Sequence, residues 1–215
     1  AQVKEAAALT NYEEGLLDEE REKAILTACR EMEEGRFDGE IIVDPIQGGA
    51  GTSLNMNVNE VLANRAIELL GGTKGDYSLV HPNDHVNKSQ STNDAFPTAG
   101  KITAYRLLRR AEKELRRLKR GLDKKAKEFY PVIKMGRTQL QDAVPVRLGQ
   151  EFSAYAAAVG RDIRRMEAAA KEMRLVNMGG TAIGTGINAA PGYVRRVVQR
   201  LGEVTGLDLK QNENL

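Results

Sequence analysis

The sequence predicts an all-α protein in which a long antiparallel helical bundle follows the end of a smaller helical domain. Three observations carry this prediction. Two long stretches repeat apolar side chains at intervals of three, four or seven residues, as one face of a helix does. Glycines and prolines mark the ends of these stretches. Only the short piece Glu40–Asp44 has the β-branched character of an extended segment.

Three shorter helices are predicted in the first part of the chain. A short one opens the chain, and a second runs from about Asp18 to Glu34, where a glycine stops it. After the glycine-rich run at 48–51, Thr52 or Ser53 is predicted to cap a third helix. That helix continues to Leu70 and ends at the glycine pair that follows.

Two long helices are predicted to form the bundle. One begins near Asn93 or Asp94 and extends to Phe129, and the other begins after Pro145 and runs to about Val176. The apolar face of the first consists of Ile102, Tyr105, Leu108, Leu115, Leu118, Leu122 and Phe129. Two helices cannot bury both apolar faces by themselves, so we expect the chain to self-associate. A last helix is predicted to open at Pro191.

Composition places the chain among soluble globular proteins and excludes several other classes. Of its 215 residues, 41% are hydrophobic and 29% are charged, which is too apolar for a disordered chain. No stretch approaches the ~20 apolar residues of a membrane span. The single cysteine, Cys29, excludes a disulfide framework and indicates a reducing compartment. We therefore expect a cytoplasmic protein with no membrane partner.

Residues 106–127 form a basic block, which raises the question of nucleic-acid binding. The block holds 11 basic and 3 acidic side chains. The apolar face of the predicted helix passes through the same residues, and base-stacking aromatic side chains do not lie among the basic ones. We therefore interpret the block as the solvated flank of a bundle helix and expect no nucleic-acid partner.

Three segments are rich in small hydroxyl and amide side chains: 51–57, 90–94 and 136–142. Each is predicted to lie at or just before a helix start, where backbone N–H groups lack partners. For any one segment, helix capping is a sufficient explanation. Together, the three segments also suit an uncharged cage for a small dicarboxylate, to which the helix N-termini add partial positive charge.

Other motif interpretations fit less well. The glycine-rich run at 48–51 lacks the Lys-Ser/Thr pair of a phosphate loop. The glycines at 184–186 follow a predicted helix rather than a strand, which argues against a dinucleotide fingerprint. His81 and His85 have a spacing that zinc can use, but Pro82 and the absence of a clear third ligand argue against a metal site. We expect neither a cofactor nor a metal.

Four blocks of the sequence resemble the aspartase/fumarase superfamily. Residues 48–60 resemble the first block of the family, 81–94 the segment with the second block, and 136–145 the third. Residues 179–186 resemble the loop that follows, so the likeness covers essentially the whole chain. The resemblance implies a partial central helix bundle of the family fold.

The resemblance also implies a division into domains and an incomplete subunit. Residues 1–92 correspond to the remainder of an N-terminal domain that carries the first substrate-binding block, and 93–215 to the first part of the central bundle. The family's loop with the serine base has no counterpart in this sequence. We therefore expect a fragment without a catalytic base, inactive alone, from a homotetramer whose active sites are shared between subunits.

Within the superfamily, the details resemble aspartate ammonia-lyases, which release fumarate and ammonia from L-aspartate. Residues 50–53 and 88–92 have the aspartase form, and Gln139, near the leaving group, stands where fumarases have histidine. The segment 81–84 instead resembles a second anion site of fumarases. Its residues would be His81, Asn83 and Asp84. Class II fumarate hydratase and a non-catalytic helical assembly module therefore remain alternatives.

The matched motifs imply a role for each polar residue. Thr52, Ser91 and Thr92 would hold the β-carboxylate of the substrate, and Asn93 would hold its amino group. Thr138 would contact the α-carboxylate. Uncharged donors suit a reaction that builds negative charge on a carboxylate, because a fixed positive charge would also bind the ground state strongly.

Overall fold

The computed structural model describes residues 1–46 and 49–215, and most of these residues are helical, which confirms the predicted fold class. The helices are α1 (Gln2–Glu13), α2 (Glu19–Glu33), α3 (Thr52–Leu69), α4 (Thr92–Glu128), α5 (Leu148–Glu172) and α6 (Pro191–Thr205). The strands are β1 (Ile133–Thr138), β2 (Gln141–Arg147), β3 (Leu175–Val176) and β4 (Lys210–Gln211).

The chain forms two compact units. The first unit contains residues 1–102 and 174–215, and the second contains residues 103–173. The division at residue 92 inferred above concerns the domains of a longer subunit and stays a prediction.

Helix α1 contributes to two apolar clusters in the first unit. One cluster joins Ala8 of α1 to side chains of α2 and α3, including Ile25 and Leu62. The other joins Val3 of α1 to the buried face of α6, where Leu201 is fully buried. The small side chains of α1 allow both neighbours to approach it closely.

The start of α3 differs from the prediction. Neither Thr52 nor Ser53 caps the helix through its side chain, because the cap position is Gly51, with φ +83°. A Cβ atom at Gly51 would lie 2.5 Å from ring carbons of Phe96, so only glycine fits there. Gly48, part of the same predicted run, lies outside the described residues.

The prediction of an extended piece at Glu40–Asp44 was also wrong. Residues Asp38–Glu40 form a short 3₁₀ turn, and positions 41–44 pair with no strand in the part of the chain that the structure describes. The three β-branched residues at 41–43 are too few to form a strand without a neighbouring edge to pair with.

The second unit contains α4 from residue 103 onward together with all of α5, and these form the long antiparallel helix pair that the sequence predicts. The rings of Phe129 and Phe152 lie 5.2 Å apart near one end of the pair. Further along, Arg116 of α4 pairs with Glu167 of α5, so residue numbers rise along α5 as they fall along α4. The helices therefore run antiparallel.

The connection between the two long helices is a β-hairpin rather than the predicted polar helix start. Strand β1 pairs with β2 in antiparallel fashion, from Ile133 opposite Arg147 to Thr138 opposite Gln141. The segment 136–142 is therefore the tip of this hairpin. The β-branched side chains on both sides of the tip favour extended backbone and explain the difference.

The second long helix ends earlier than predicted. Helix α5 stops at Glu172 rather than near Val176, because Leu175–Val176 forms a short strand. That strand pairs in parallel with Lys210–Gln211. The predicted last helix at Pro191 is confirmed as α6.

Candidate functional site

A reciprocal cap holds the start of α4. The Ser91 hydroxyl oxygen accepts the backbone N–H of Asn93 at 3.1 Å, and Asp94 Oδ1 accepts the backbone N–H of Ser91 at 2.9 Å. The arrangement resembles a capping box, except that Ser91 accepts from the second helical residue rather than the third and an aspartate replaces the usual glutamate. Helix capping was considered above for each polar segment. Ser91 does cap a helix in this way.

The other carboxylate oxygen of Asp94 attaches the loop at 179–186 to the start of α4. Asp94 Oδ2 accepts the backbone N–H groups of Thr181 at 2.9 Å and Gly179 at 3.2 Å. Burial raises the pKa of Asp94, although these backbone bonds act in the opposite direction. Asn93 completes the attachment, since its Nδ2 donates to the carbonyl oxygen of Ala182 at 2.8 Å.

A hydrogen bond joins the first sequence block to the second. Asn55 lies on the first turn of α3 and is buried. Its Nδ2 donates to Thr92 Oγ1 at 3.0 Å and to Asn87 Oδ1 at 3.3 Å. Thr52, the first residue of α3, lies three positions before Asn55 and is exposed. The structure thus connects the N-terminal turns of α3 and α4, on which four of the predicted site residues lie.

A buried lysine lies next to this connection. Lys4 Nζ donates to Asn87 Oδ1 at 2.7 Å and to Gln90 Oε1 at 3.0 Å. The residue is only 4% exposed. Burial lowers the pKa of Lys4 to about 7, although the charge of Asp94 acts to raise it. Sequence reasoning missed Lys4, and the available signal was a lysine within the apolar face of the first helix.

His81, Asn83 and Asp84 lie together around one turn of π-helix, Pro82–Val86. The backbone N–H groups of Asn83 and Asp84 both donate to His81 Nδ1 at 3.2 Å. His81 N–H in turn donates to His85 Nδ1 at 2.7 Å, and burial lowers the pKa of His85. The two backbone donors nearest this group are therefore paired within the turn, and an anion site here stays a prediction.

Thr138 and Gln139 lie at the hairpin tip of the second unit. Both side chains are exposed. Gln139 and Leu140 form the turn, with φ values of +46° and +65°. Both belong to a unit other than the one that carries Thr92, so their part in the site stays a prediction.

The described residues offer neither a metal-binding cluster nor a membrane-spanning helix. Residues 1–46 and 49–215 contain no group of three or more His, Cys, Asp or Glu side chains arranged to hold a metal ion. Within the same ranges, every helix is too short or too polar to cross a membrane.

Comparison with known proteins identifies the family. The profile of a family described as lyase matches residues 1–215. The chain belongs to this family, the aspartase/fumarase superfamily. Aspartate ammonia-lyases from Bacillus sp and Escherichia coli K12 are 53% and 46% identical to this superfamily member over 99% of its length. The matches cover 46% and 45% of those relatives, so the chain spans about half of their length.

Solved structures of the superfamily share the fold of this chain. A crystal structure of fumarate lyase:delta crystallin from Brucella melitensis, bound to cobalt, has a TM-score of 0.95 and 49% identity. That match covers 100% of this superfamily chain and 46% of the other. A recombinant class II fumarase from Schistosoma mansoni has a TM-score of 0.91 and 37% identity, covering 99% and 48%.

Proposed function

We propose that the whole protein is an aspartate ammonia-lyase, which eliminates ammonia anti from L-aspartate and gives fumarate reversibly. The observation that carries the proposal is the hydrogen bond from Asn55 to Thr92, which ties together two helix N-termini that bear uncharged donors. Helix N-termini favour anions, as a dicarboxylate site requires. Relatives that bear this name at 46–53% identity support the choice of reaction.

The chemistry needs donors that strengthen as negative charge develops. The proton removed lies next to a carboxylate and is very weakly acidic, so the reaction passes through an aci-carboxylate with two negative charges. A preorganised donor aimed at such an oxyanion contributes about 3 kcal/mol. In the proposed function, Thr52, Ser91 and Thr92 supply these donors to the β-carboxylate.

The hydrogen bonds already made by these side chains support the proposed roles. Ser91 Oγ accepts a backbone N–H, which leaves its own O–H to donate to a carboxylate. Asn93 Nδ2 donates to the Ala182 carbonyl, which leaves Oδ1 to accept from the substrate ammonium group. In the same proposal, Thr138 contacts the α-carboxylate and Gln139 lies near the leaving ammonia.

The proposed assembly is a cytoplasmic homotetramer with active sites shared between subunits. The serine base would come from a part of the protein beyond these 215 residues, and no residue of this chain is proposed as the base. We therefore propose that the 215-residue chain is inactive alone. Lyase activity in a purified chain free of host enzyme would contradict this.

A class II fumarase is the second candidate. The segment 81–84 and the likeness to the Schistosoma mansoni fumarase favour it. Fumarate formation by the full-length protein from L-aspartate and from L-malate separates the two functions. We expect faster turnover of aspartate, and faster turnover of malate would replace the proposed function with the second one.

Substitution of two polar residues at the start of α4 distinguishes a substrate role from capping. In the full-length protein, we expect Thr92→Val and Asn93→Ala each to lower kcat/KM by about 100-fold, with folding intact. A helical assembly module predicts instead a loss of about 1 kcal/mol in unfolding free energy, with turnover retained.

Thr98→Val is the matched control for Thr92→Val. Thr98 lies on the same helix, is 1% exposed, and its hydroxyl has no hydrogen-bond partner among the described residues. The substitution removes a hydroxyl of the same kind from the same helix, so we expect turnover to be unchanged. Steady-state kinetics and thermal unfolding on all three variants make the comparison.

A further inference from the structure

We propose that Lys4 is a positioning residue, which acts through the side-chain amides of Asn87 and Asn55 to keep the Thr92 hydroxyl pointing toward the substrate carboxylate. The inference rests on the proposed function, because it explains how one of the proposed carboxylate donors is oriented. It concerns hydrogen-bond direction along a chain of four side chains, all of them in the first unit.

Lys4 sets the direction of the hydrogen bonds in this series of side chains. A lysine in its charged form only donates, so the two side-chain amides in contact with it must present their oxygens. Lys4 Nζ accordingly lies 2.7 Å from Asn87 Oδ1 and 3.0 Å from Gln90 Oε1. With Oδ1 turned to the lysine, Asn87 Nδ2 faces the backbone carbonyl of Gln90 at 3.4 Å.

The orientation of Asn87 determines that of Asn55. Asn87 Oδ1 is an acceptor, so Asn55 must present its NH₂ group to it, and the distance is 3.3 Å. The same Asn55 Nδ2 lies 3.0 Å from Thr92 Oγ1 and donates to it. A hydroxyl has one hydrogen, and with Thr92 Oγ1 accepting from Asn55 this hydrogen is directed elsewhere. Thr92 is thereby prepared to donate to an anion.

The burial of Lys4 is difficult to explain by stability. A buried amine loses its hydration, and the two side chains that accept from Lys4 in the described part of the chain are uncharged amides. An apolar side chain of similar length would fill the same space without that penalty. The neutral form keeps two N–H groups, which can still donate to both amide oxygens, so a pKa of about 7 is compatible with the same hydrogen-bond direction.

A double-substitution cycle in the full-length protein tests the inference. We expect Lys4→Met to lower kcat by about 10- to 100-fold with a smaller change in KM, because a misoriented group costs up to about 100-fold. Thr92→Val lowers turnover by about 100-fold or more. The double variant is expected to be no slower than Thr92→Val alone, because Lys4 acts only through that hydroxyl.

Three results would overturn the inference. Full turnover in Lys4→Met excludes a positioning role. A double variant in which the two losses multiply shows that Lys4 acts independently of Thr92, and it leaves the proposed function standing. Full turnover in Thr92→Val removes the proposed carboxylate contact itself, and the positioning role with it.

Two additional variants keep the test decisive. If Lys4→Met does not fold, Asn87→Leu takes its place in the cycle with Thr92→Val. Asn87→Leu interrupts the same series of hydrogen bonds at its next member. Thr98→Val again serves as the control, since it removes a buried hydroxyl of α4 that makes no hydrogen bond in the described residues. Circular dichroism and thermal unfolding verify that each variant tested is folded.

Discussion

At the residue scale, the polar side chains at the start of α4 combine a structural bond with an unused capacity. Ser91 caps the helix with its oxygen, and Asn93 holds the 179–186 loop with its NH₂ group. Thr92 accepts from Asn55. In each case, the donor or acceptor that this structural bond does not use is the one that the proposed substrate contact needs. Capping and substrate binding are therefore compatible in the same side chain.

The sequence identified Ser91, Thr92 and Asn93 as site residues, but it did not identify Lys4. Hydroxyl and amide residues next to a helix start are recognisable from local sequence alone. Lysines are rarely fully buried, and a local pattern places them in solvent. The burial of Lys4 depends on Asn87 and Gln90, which are more than 80 positions away in the chain.

We expect the buried amine of Lys4 to make stability depend on pH. Its pKa is about 7 in the folded protein and near the usual 10.5 in the unfolded chain. Between these values the unfolded state binds more protons, so the free energy of unfolding rises with pH from 7 upward. Below pH 7, the loss of unfolding free energy caused by burying Lys4 is present in full. The slope for this group is at most about 1.4 kcal/mol per pH unit.

Urea denaturation of the wild type and Lys4→Met between pH 7 and 9 measures this effect as a difference. Titrating groups whose charge does not act on Lys4 cancel in the comparison. The range ends at pH 9 because burial raises the pKa of Cys29 to about 12, which makes the folded state less stable as pH increases further. A difference between the two proteins that does not change with pH would show that Lys4 titrates normally.

At the element scale, α4 accommodates part of its basic block by ion pairs within the second unit. Glu112 is 6% exposed and pairs with Arg109 and Arg116 on the same helix. Arg116 also reaches Glu167 of α5. Pairs at three- and four-residue spacing each add a few tenths of a kcal/mol to a helix, which supports an element of 37 residues.

The hairpin is the element that local sequence reasoning missed. Its turn residues are Gln139 and Leu140, and both have positive φ. Hairpin turns of this kind usually carry Asn-Gly or Asp-Gly, so the usual signal was absent. The polar character of the tip instead suggested a loop before a helix.

Leu140→Gly is expected to stabilise the hairpin. Leucine at φ +65° is strained and 94% exposed, whereas glycine adopts this conformation without a steric penalty. We expect a gain of about 1 kcal/mol, seen as slower amide hydrogen exchange across β1 and β2. Val144→Gly is the control, because Val144 is also exposed but lies within β2, where glycine weakens a strand. Faster exchange in Leu140→Gly would contradict the strain at the turn.

At the scale of the whole molecule, the first unit is assembled from the two ends of the described chain. Arg200 of α6 pairs with Glu13 of α1, and Arg196 Nη1 lies 3.2 Å from Glu14 Oε1. Beneath these pairs, Leu201 packs in the cluster that also contains Val3. The unit that carries Thr92 therefore depends on α6.

Leu201→Ala is expected to destabilise the protein by about 3 kcal/mol, because it leaves a cavity at a fully buried position between α1 and α6. Leu16→Ala, at a position that is 37% exposed, is the matched control and should cost much less. Urea-induced unfolding of the full-length protein measures both. Equal losses in the two variants would show that this cluster does not support the fold.

The sequence by itself determined the helical class, the long antiparallel pair, the family and the polar residues at the start of α4. These features depend on local periodicity, on helix-end chemistry and on ordered motifs, all of which can be read along the chain. Tertiary structure alone decided that Lys4 is buried, that Asp94 holds a loop more than 80 positions away, and that 136–142 is a hairpin tip. Hydrogen-bond direction and strand pairing require partners distant in sequence, and folding brings those partners together.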